Sequence, residues 1–178
     1  MKYFENFVLA PYILKASALI GVSRKCGGNQ FRHQFATFAI LLDYKYFDDS
    51  VLLKASLIHD VFEDWGEDEI ESIRNIDKDG PAVVDLVMEM TKSKLETKEV
   101  YLKRILETGS EKAKTLKCAD RISNLTDLHL DTHSPEKITA YLDQTEKYII
   151  PMAISILNED FVKELADLII LRRKLVQK

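Results

Sequence analysis

Cysteine is scarce in this sequence. Its 178 residues include two cysteines, Cys26 and Cys118, which lie far apart and in no spacing typical of metal binding. Two such cysteines argue against a disulfide framework and fit a reducing cytosol, where thiols stay reduced. We therefore predict that both are ordinary free thiols.

Excess positive charge and long apolar runs are also absent. The formal net charge of -4 and the pI near 5.6 argue against a protein that coats nucleic acid or a membrane surface, since such proteins need a basic face. No window approaches the roughly 20 apolar residues that cross a bilayer. The first residues lack a basic leading region and are divided by Lys15, so we interpret them as a domain helix rather than a signal peptide. The expected location is the cytoplasm.

The sequence shows no strand-like alternation, no internal repeat and no low-complexity segment. Apolar residues instead recur at spacings of three and four, which is typical of amphipathic helices. With 46% hydrophobic and 30% charged residues, the chain can form one compact domain with a full core. The prediction is an all-α fold, a single helical bundle over residues 1–178. The predicted helices cover about 4–20, 30–46, 49–63, 68–75, 81–90, 97–108, 111–128, 134–150 and 159–176.

Capping residues and prolines mark several of these boundaries. Asp49 supplies the N-cap of the third helix, and Ser134 supplies the N-cap of another helix that has Pro135 in its first turn. Pro11 and Pro151 each predict a break or kink in a helical segment.

Residues 57–64 stand out because acid and imidazole groups crowd together at the end of an apolar run. If the preceding segment is helical, His59 and Asp60 emerge from buried chain, where an imidazole and a carboxylate can bind one divalent cation. Glu63 and Asp64 follow one turn later and would project over the same site, which suits activation of a metal-bound water. The alternative is a helix end with solvated acids, because a bare HD pair is frequent by chance.

His33 and Asp120 could complete a metal site with His59 and Asp60. They come from separate predicted helices whose apolar neighbours would turn them towards a shared core. Two imidazoles and two carboxylates suit Mn²⁺, Fe²⁺ or Zn²⁺ and leave positions for water and substrate. The competing interpretations are a satisfied core histidine for His33 and a surface ion pair of Asp120 with Arg121.

These residues resemble the H…HD…D signature of the HD phosphohydrolase superfamily. Within it, the sequence is similar to the hydrolase domain of the RelA/SpoT family, which removes the 3′-pyrophosphate from the alarmone (p)ppGpp. Residues 57–64 resemble that family's LLHDxxED, residues 117–125 its KLADRxxNL, residues 87–92 its VxxxTK, and Arg24-Lys25 before a glycine loop its RKxG. The resemblance covers about residues 16–148, and the short chain is similar to the small alarmone hydrolases.

The resemblance implies a role for each matching residue and a small nucleotide as the partner. The implied ligands of a divalent metal, usually Mn²⁺ in this family, are His33, His59, Asp60 and Asp120. The acids that would position and deprotonate water are Glu63 and Asp64. The implied substrate contacts are Arg24 and Lys25 for phosphate or guanine, Asn124 for the sugar-phosphate, and Lys137 and Tyr141 for the remaining phosphates or ribose.

Two departures from the family pattern leave other functions open. Leu19 stands where the family usually has a histidine, and residues 29–34 replace a PYIxHP run near the nucleotide. One alternative is therefore an HD-type phosphohydrolase acting on another nucleotide, such as a phosphomonoester or NADPH. Another is a nucleotide-binding regulator without activity, although Glu63 beside His59 has no use in a mere binder. Arg24 and Lys25 could also be a solvated basic pair. The sequence leaves the oligomeric state open.

Overall fold

A computed structural model describes residues 7–63 and 67–176, and the side chains of residues 63–69 lie outside that description. Within these ranges the regular elements are helical, which confirms the all-α prediction. The α-helices are α1 Ala10–Ala16, α2 Gln30–Asp43, α3 Ser50–Ile58, α4 Glu67–Arg74, α5 Gly80–Met90, α6 Lys98–Thr108, α7 Glu111–Asp127, α8 Pro135–Gln144, α9 Ile150–Ser155 and α10 Glu159–Val176. Short 3₁₀ turns cover Ser17–Gly21, Val61–Glu63 and Leu128–Leu130, and a π-helical turn covers Thr145–Ile149.

The chain divides into two compact units. Unit 1 consists of Met1–Val22 and Asn29–Lys92, and unit 2 consists of Ser23–Gly28 and Ser93–Lys178. The prediction of one domain over residues 1–178 stays a prediction. None of the described helices is long and apolar enough to cross a membrane.

Helix α3 is the most buried helix of unit 1. It packs against α1, α2 and α5, and the residues from Leu52 to Ile58 are all buried. Asp49 caps it as predicted, because its side chain accepts a hydrogen bond from the backbone N–H of Leu52. The predicted end at residue 63 is wrong, since α3 ends at Ile58 and the chain continues through a turn into Val61–Glu63. Acidic side chains at a helix C-terminus oppose the helix dipole, which fits this early end.

A buried lysine links α3 to two other parts of unit 1. Lys54 is 2% exposed, and its Nζ lies 2.7 Å from Oδ2 of both Asp77 and Asp79 in the turn between α4 and α5. The hydroxyl of Tyr12 in α1 donates a 2.9 Å hydrogen bond to Oδ1 of Asp77. The helix that leads into His59 is therefore tied to α1 and to the turn after α4.

Helix α7 is the central helix of unit 2 and packs against α6, α9 and α10. Its N-cap is Ser110, whose hydroxyl accepts a 3.1 Å hydrogen bond from the N–H of Ala113. Ser134 takes the predicted N-cap position of α8 but makes no capping hydrogen bond with its side chain. The predicted interruption near Pro151 takes the form of the π-helical turn Thr145–Ile149, after which Pro151 lies in the first turn of α9, where no backbone donor is needed.

Candidate functional site

Three side chains of the kinds that bind metal ions lie close together in unit 1. His33 projects from α2, and His59 and Asp60 follow directly after α3. One ligand atom from each residue lies within 4.8 Å of the others. Both imidazoles are buried, with His33 2% and His59 4% exposed, and Asp60 is half-buried. The predicted convergence of these three residues is thus present in the fold.

The spacing of the three donors suits a shared ion. Oδ2 of Asp60 lies 3.7 Å from Nε2 of His33 and 3.5 Å from Nε2 of His59. Metal–ligand bonds of about 2.1 Å place neighbouring donors about 3.0–3.5 Å apart. The two imidazole rings meet edge to face, with centroids 5.3 Å apart. Two imidazoles and a carboxylate without a thiol are a donor set that Mn²⁺, Fe²⁺ and Zn²⁺ accept, so these residues fit a divalent cation.

Hydrogen bonds orient both His59 and Asp60. Nδ1 of His59 lies 2.8 Å from the carbonyl oxygen of Ser56, and a carbonyl only accepts, so Nδ1 carries the hydrogen. In the neutral ring this makes Nε2, the atom facing Asp60, the nitrogen with the free lone pair that a metal requires. Nε2 of Gln34 donates a 2.9 Å hydrogen bond to Oδ2 of Asp60 and holds the carboxylate in place. The sequence reasoning missed Gln34, whose only signal was its position next to His33.

The two acids predicted to handle water cannot be compared with this geometry. Glu63 ends the 3₁₀ turn Val61–Glu63, but its side chain lies outside the described residues. Asp64 lies wholly outside them. Their roles stay predictions.

Asp120 in unit 2 is a buried carboxylate with both oxygens hydrogen-bonded. It is 6% exposed, and Nζ of Lys117 donates a 2.8 Å bond to Oδ2 while Nδ2 of Asn124 donates a 2.6 Å bond to Oδ1. Burial acts to lower the pKa of Lys117, but Asp120 and Tyr101 together outweigh it, so the pKa of this lysine is raised and the ammonium stays charged. The interpretation of Asp120 and Arg121 as a surface ion pair is wrong, because both side chains are buried and Asp120 bonds to Lys117 and Asn124 instead.

Arg24 extends this set of hydrogen bonds. Its Nη2 donates a 2.9 Å bond to Oδ1 of Asn124, and its Nη1 lies 3.1 Å from Oδ2 of Asp127. Only 7% of the Arg24 side chain is exposed, so the interpretation of Arg24 as half of a solvated basic pair is wrong. Lys25 is exposed, and the described part of the chain offers its ammonium no hydrogen bond.

The two remaining candidates lie on α8. Lys137 is exposed and makes no hydrogen bond with another candidate among the described residues. Tyr141 is half-buried, and its ring centroid lies 3.9 Å from the guanidinium carbon of Arg121 and 4.8 Å from Nζ of Lys98. Burial raises the pKa of Tyr141; the charges of Arg121 and Lys117 oppose that increase, and the charge of Asp120 adds to it.

The structure therefore assembles two groups of predicted residues, one within each unit. Unit 1 brings together His33, His59 and Asp60, and unit 2 brings together Asp120, Asn124 and Arg24. Sequence reasoning missed the parts played by Lys117, Arg121 and Asp127. A signal existed for Lys117 and Asp127, because they continue the helical polar stripe of α7 on which Asp120 and Asn124 also lie.

An all-helical fold with a histidine–aspartate pair beside a second histidine defines this protein as having the HD-domain hydrolase fold. No protein-family model matches the sequence. The search of curated proteins found no match either. Among solved structures, the chain is similar to a metazoan ortholog of SpoT that hydrolyzes ppGpp and plays a role in starvation responses. The TM-score is 0.78 at 25% sequence identity, over 92% of this chain and 94% of that chain. The structure of this chain is thus similar to that of a SpoT-type hydrolase, the family that its motifs resemble.

Proposed function

We propose that this protein is a metal-dependent (p)ppGpp 3′-pyrophosphohydrolase, which converts the alarmone to GDP or GTP and pyrophosphate. The observation that carries the proposal is the buried group of His33, His59 and Asp60 in a chain whose fold matches that of a ppGpp hydrolase. The motif resemblance adds the substrate, since it extends from the histidines to residues 117–125. The proposed location is the cytoplasm.

His33, His59 and Asp60 would hold a divalent cation, and the resemblance adds Asp120 as a fourth ligand. The proposed metal is Mn²⁺, and the same donors would also accept Fe²⁺ or Zn²⁺. When bound, such a cation supplies a water of lowered pKa and neutralises charge on phosphate oxygens. The hydrogen bond from His59 Nδ1 to Ser56 supports this assignment, because it keeps Nε2 available in the neutral ring.

The chemical step is an attack of water on the phosphorus that is attached to the ribose 3′ oxygen. A P–O bond to the water oxygen forms, the P–O3′ bond breaks, and pyrophosphate is released. Glu63 and Asp64 are proposed to orient the water and to accept its proton, and the 3′ oxygen takes up a proton as it leaves. A strong base is not needed for this role when the water is already acidified, so two carboxylates suffice.

Arg24, Lys25, Asn124, Lys137 and Tyr141 are proposed to bind the nucleotide. The bonds of Arg24 to Asn124 and Asp127 support its part, because they fix the plane of the guanidinium and use only some of its five donors. Lys25 and Lys137 are exposed cations that could meet phosphate oxygens without first breaking a described ion pair.

Turnover of a nucleotide panel with Mn²⁺ tests the proposal. The panel contains ppGpp, pppGpp, NADPH and deoxynucleotides, and the products are resolved. Pyrophosphate released from ppGpp is the expected result. Orthophosphate released from NADPH or another nucleotide would instead support the broader HD-type phosphohydrolase. Binding of nucleotide and metal without formation of any product would favour the alternative of a nucleotide-binding regulator without activity.

A single substitution tests the role of Glu63. Glu63→Gln keeps the size of the side chain but removes its basicity, so turnover of ppGpp should be lost while the metal content of the protein is unchanged. Glu107→Gln is the matched control, because Glu107 is an exposed acid on α6 whose described partner is Lys103. An unchanged rate in Glu63→Gln would contradict the proposed role.

A further inference from the structure

Arg121 is a buried cation in unit 2 without an acidic partner in the part of the chain that the structure describes. It is 2% exposed, although it directly follows Asp120 on α7. Asp120 is instead bonded to Lys117 and Asn124. Burying a guanidinium is costly unless its charge and its N–H groups are met by other groups. The contacts that Arg121 makes therefore indicate the role of this buried side chain.

Those contacts all lie in one turn at the end of α8. Nη1 of Arg121 donates hydrogen bonds of 2.9 Å to Oγ1 of Thr145 and 3.2 Å to the carbonyl oxygen of Tyr141. Its guanidinium carbon lies 3.9 Å from the centroid of the Tyr141 ring, which is a cation–π distance. The hydroxyl of Thr145 also donates a 2.8 Å bond to the Tyr141 carbonyl. Arg121, Thr145 and the Tyr141 backbone thus form a closed set of bonds.

The backbone is irregular at this point. Thr145 begins the π-helical turn Thr145–Ile149, and single π turns inside α-helices are frequent at functional sites. Tyr141 is fixed by both its carbonyl and its ring, whereas its hydroxyl makes no hydrogen bond to any residue that the structure describes. A fixed ring with an available hydroxyl suits recognition of a ribose or phosphate oxygen.

We propose that Arg121 is a positioning residue that fixes the Tyr141 ring for nucleotide binding and so controls substrate affinity rather than bond cleavage. This inference rests on the proposed function, which assigns Tyr141 to the substrate. The hydroxyl of Thr145 helps to fix Tyr141, because it accepts a hydrogen bond from Arg121 and donates one to the Tyr141 carbonyl.

Steady-state kinetics with ppGpp test the inference. Arg121→Lys keeps the charge but loses the planar fork, and it should raise KM about fivefold to tenfold while kcat changes by less than about twofold. Thr145→Val removes only the hydroxyl and should raise KM in the same direction. Arg172→Lys is the matched control, since Arg172 also donates to backbone carbonyls, those of Leu125 and Thr126, but makes no described contact with Tyr141.

A double substitution separates this role from general stability. If Arg121 acts through the Tyr141 ring, adding Arg121→Lys to Tyr141→Leu should not raise KM further. Additive effects of the two substitutions on KM would overturn the inference. Equal thermal midpoints establish that the compared variants are folded, and Thr145→Val provides the comparison if Arg121→Lys does not fold.

A second readout does not depend on catalysis. In protein with ring-labelled tyrosine, NMR should show slow flipping of the Tyr141 ring in the wild type and faster flipping in Arg121→Lys and Thr145→Val, with Tyr141→Leu used to assign the signal. Unchanged flipping in both variants would overturn the inference. Absence of ppGpp turnover in the wild type would overturn the proposed function instead, and the ring measurement would still decide whether Arg121 holds Tyr141.

Discussion

Arg24 and Asn124 lie 100 positions apart in the sequence and share a 2.9 Å hydrogen bond from Nη2 of the arginine to Oδ1 of the asparagine. The same amide donates from Nδ2 to Oδ1 of Asp120 at 2.6 Å, and Lys117 bonds to the other carboxylate oxygen. Nδ2 also donates a 3.0 Å bond to the backbone carbonyl oxygen of Asp120. The amide oxygen therefore accepts one bond and the amide nitrogen donates two, so the orientation of the amide is determined. In unit 2, a proposed substrate contact and a proposed metal ligand are thus held by one asparagine.

Asn124→Asp should disrupt this arrangement more than its small change in shape suggests. An ionised carboxylate cannot donate, so it would face Asp120 with like charge at hydrogen-bond distance. We expect kcat/KM for ppGpp to fall at least about tenfold, which is typical of losing a partner that orients a metal ligand. Steady-state kinetics at neutral pH measure the effect.

Asn75→Asp is the matched control for this substitution. Asn75 also donates from Nδ2 to the carbonyl and the carboxylate of the residue four positions earlier, Glu71, with both distances 3.0 Å. That pair is exposed and contains no proposed site residue. Equal losses of activity in Asn124→Asp and Asn75→Asp would contradict a specific role for Asn124.

His59→Gln should remove bound metal without unfolding the protein. The substitution deletes the nitrogen that faces Asp60 and His33, so we expect metal affinity to fall by a factor of at least about 100 and turnover of ppGpp to be lost. Metal content after dialysis against limiting Mn²⁺, measured by atomic emission, gives the result. Treatment of the wild type with a chelator should abolish the same activity, and added Mn²⁺ should restore it.

The chain provides a close control in His129→Gln. Nδ1 of His129 lies 3.1 Å from the carbonyl of Thr126, three residues earlier, which repeats the contact of His59 with Ser56. His129 is exposed and does not belong to the group of His33, His59 and Asp60. Retained metal in His59→Gln, or equal loss in both variants, would refute the assignment.

The sequence was most informative where local chemistry determines the structure. Asp49 and Ser110 cap helices because a carboxylate or hydroxyl satisfies the free N–H groups of a first turn, and this signal can be read from neighbouring residues alone. The approach of His33 to His59 could also be predicted, because each lies beside apolar residues that must face a core. The motifs then identified the fold to which these helices belong.

Partners that are distant in the sequence could not be predicted. Lys54 lies in an apolar run, and nothing nearby shows that Asp77 and Asp79 would meet its ammonium. The contacts of Arg121 with Tyr141 and Thr145 could not be predicted either, because they depend on how α8 packs and on the π-helical turn that follows it. The early end of α3 was missed because helical periodicity carries no information on where acidic residues make a C-terminus unfavourable.

Lys54→Met should destabilise the protein strongly. It removes the cation between Asp77 and Asp79, whose side chains are only 13% and 16% exposed, and leaves two carboxylates close together. Breaking such a buried cluster costs about 3 kcal/mol, and we expect the free energy of unfolding to fall by about that amount. Urea denaturation at pH 7, followed by circular dichroism, measures this loss.

Lys103→Met tests whether the loss is specific to the buried cluster. Lys103 forms an exposed pair with Glu107 on α6, at 3.7 Å, and such pairs contribute less than about 1 kcal/mol. The triple substitution of Lys54→Met with Asp77→Asn and Asp79→Asn should recover part of the lost stability, because no carboxylate is left without its cation. A loss in Lys54→Met no larger than that in Lys103→Met would show that the cluster contributes little.

The stabilisation by this cluster should depend on pH in a defined direction. For Asp77, burial raises the pKa, but hydrogen bonds from Lys54 and Tyr12 outweigh it, and for Asp79 the hydrogen bond from Lys54 is the largest cause of a lowered pKa. A carboxyl group with a lowered pKa in the folded state stabilises the protein above its unfolded value, here 3.8, and loses that effect as the pH falls through the lower folded value. Burial lowers the pKa of Lys54, but the two aspartates outweigh it and raise the pKa above 10.5, so its contribution is complete below that value and is lost only at higher pH.

The difference in unfolding free energy between the wild type and Lys54→Met isolates these three groups from the other titrating residues. We expect this difference to be largest near and above pH 7 and to shrink as the pH falls towards 3. The two carboxylates that Lys54→Met leaves without a cation take up protons first, Asp77 and Asp79 of the wild type take them up at lower pH, and protonated carboxyl groups no longer need the ammonium. Urea denaturation curves of both proteins at pH 7, 5, 4 and 3 measure the trend. A difference that stays constant down to pH 3 would mean that Lys54 stabilises unit 1 mainly through its ammonium over the Tyr12 ring, 5.5 Å from the ring centroid, rather than through the two carboxylates.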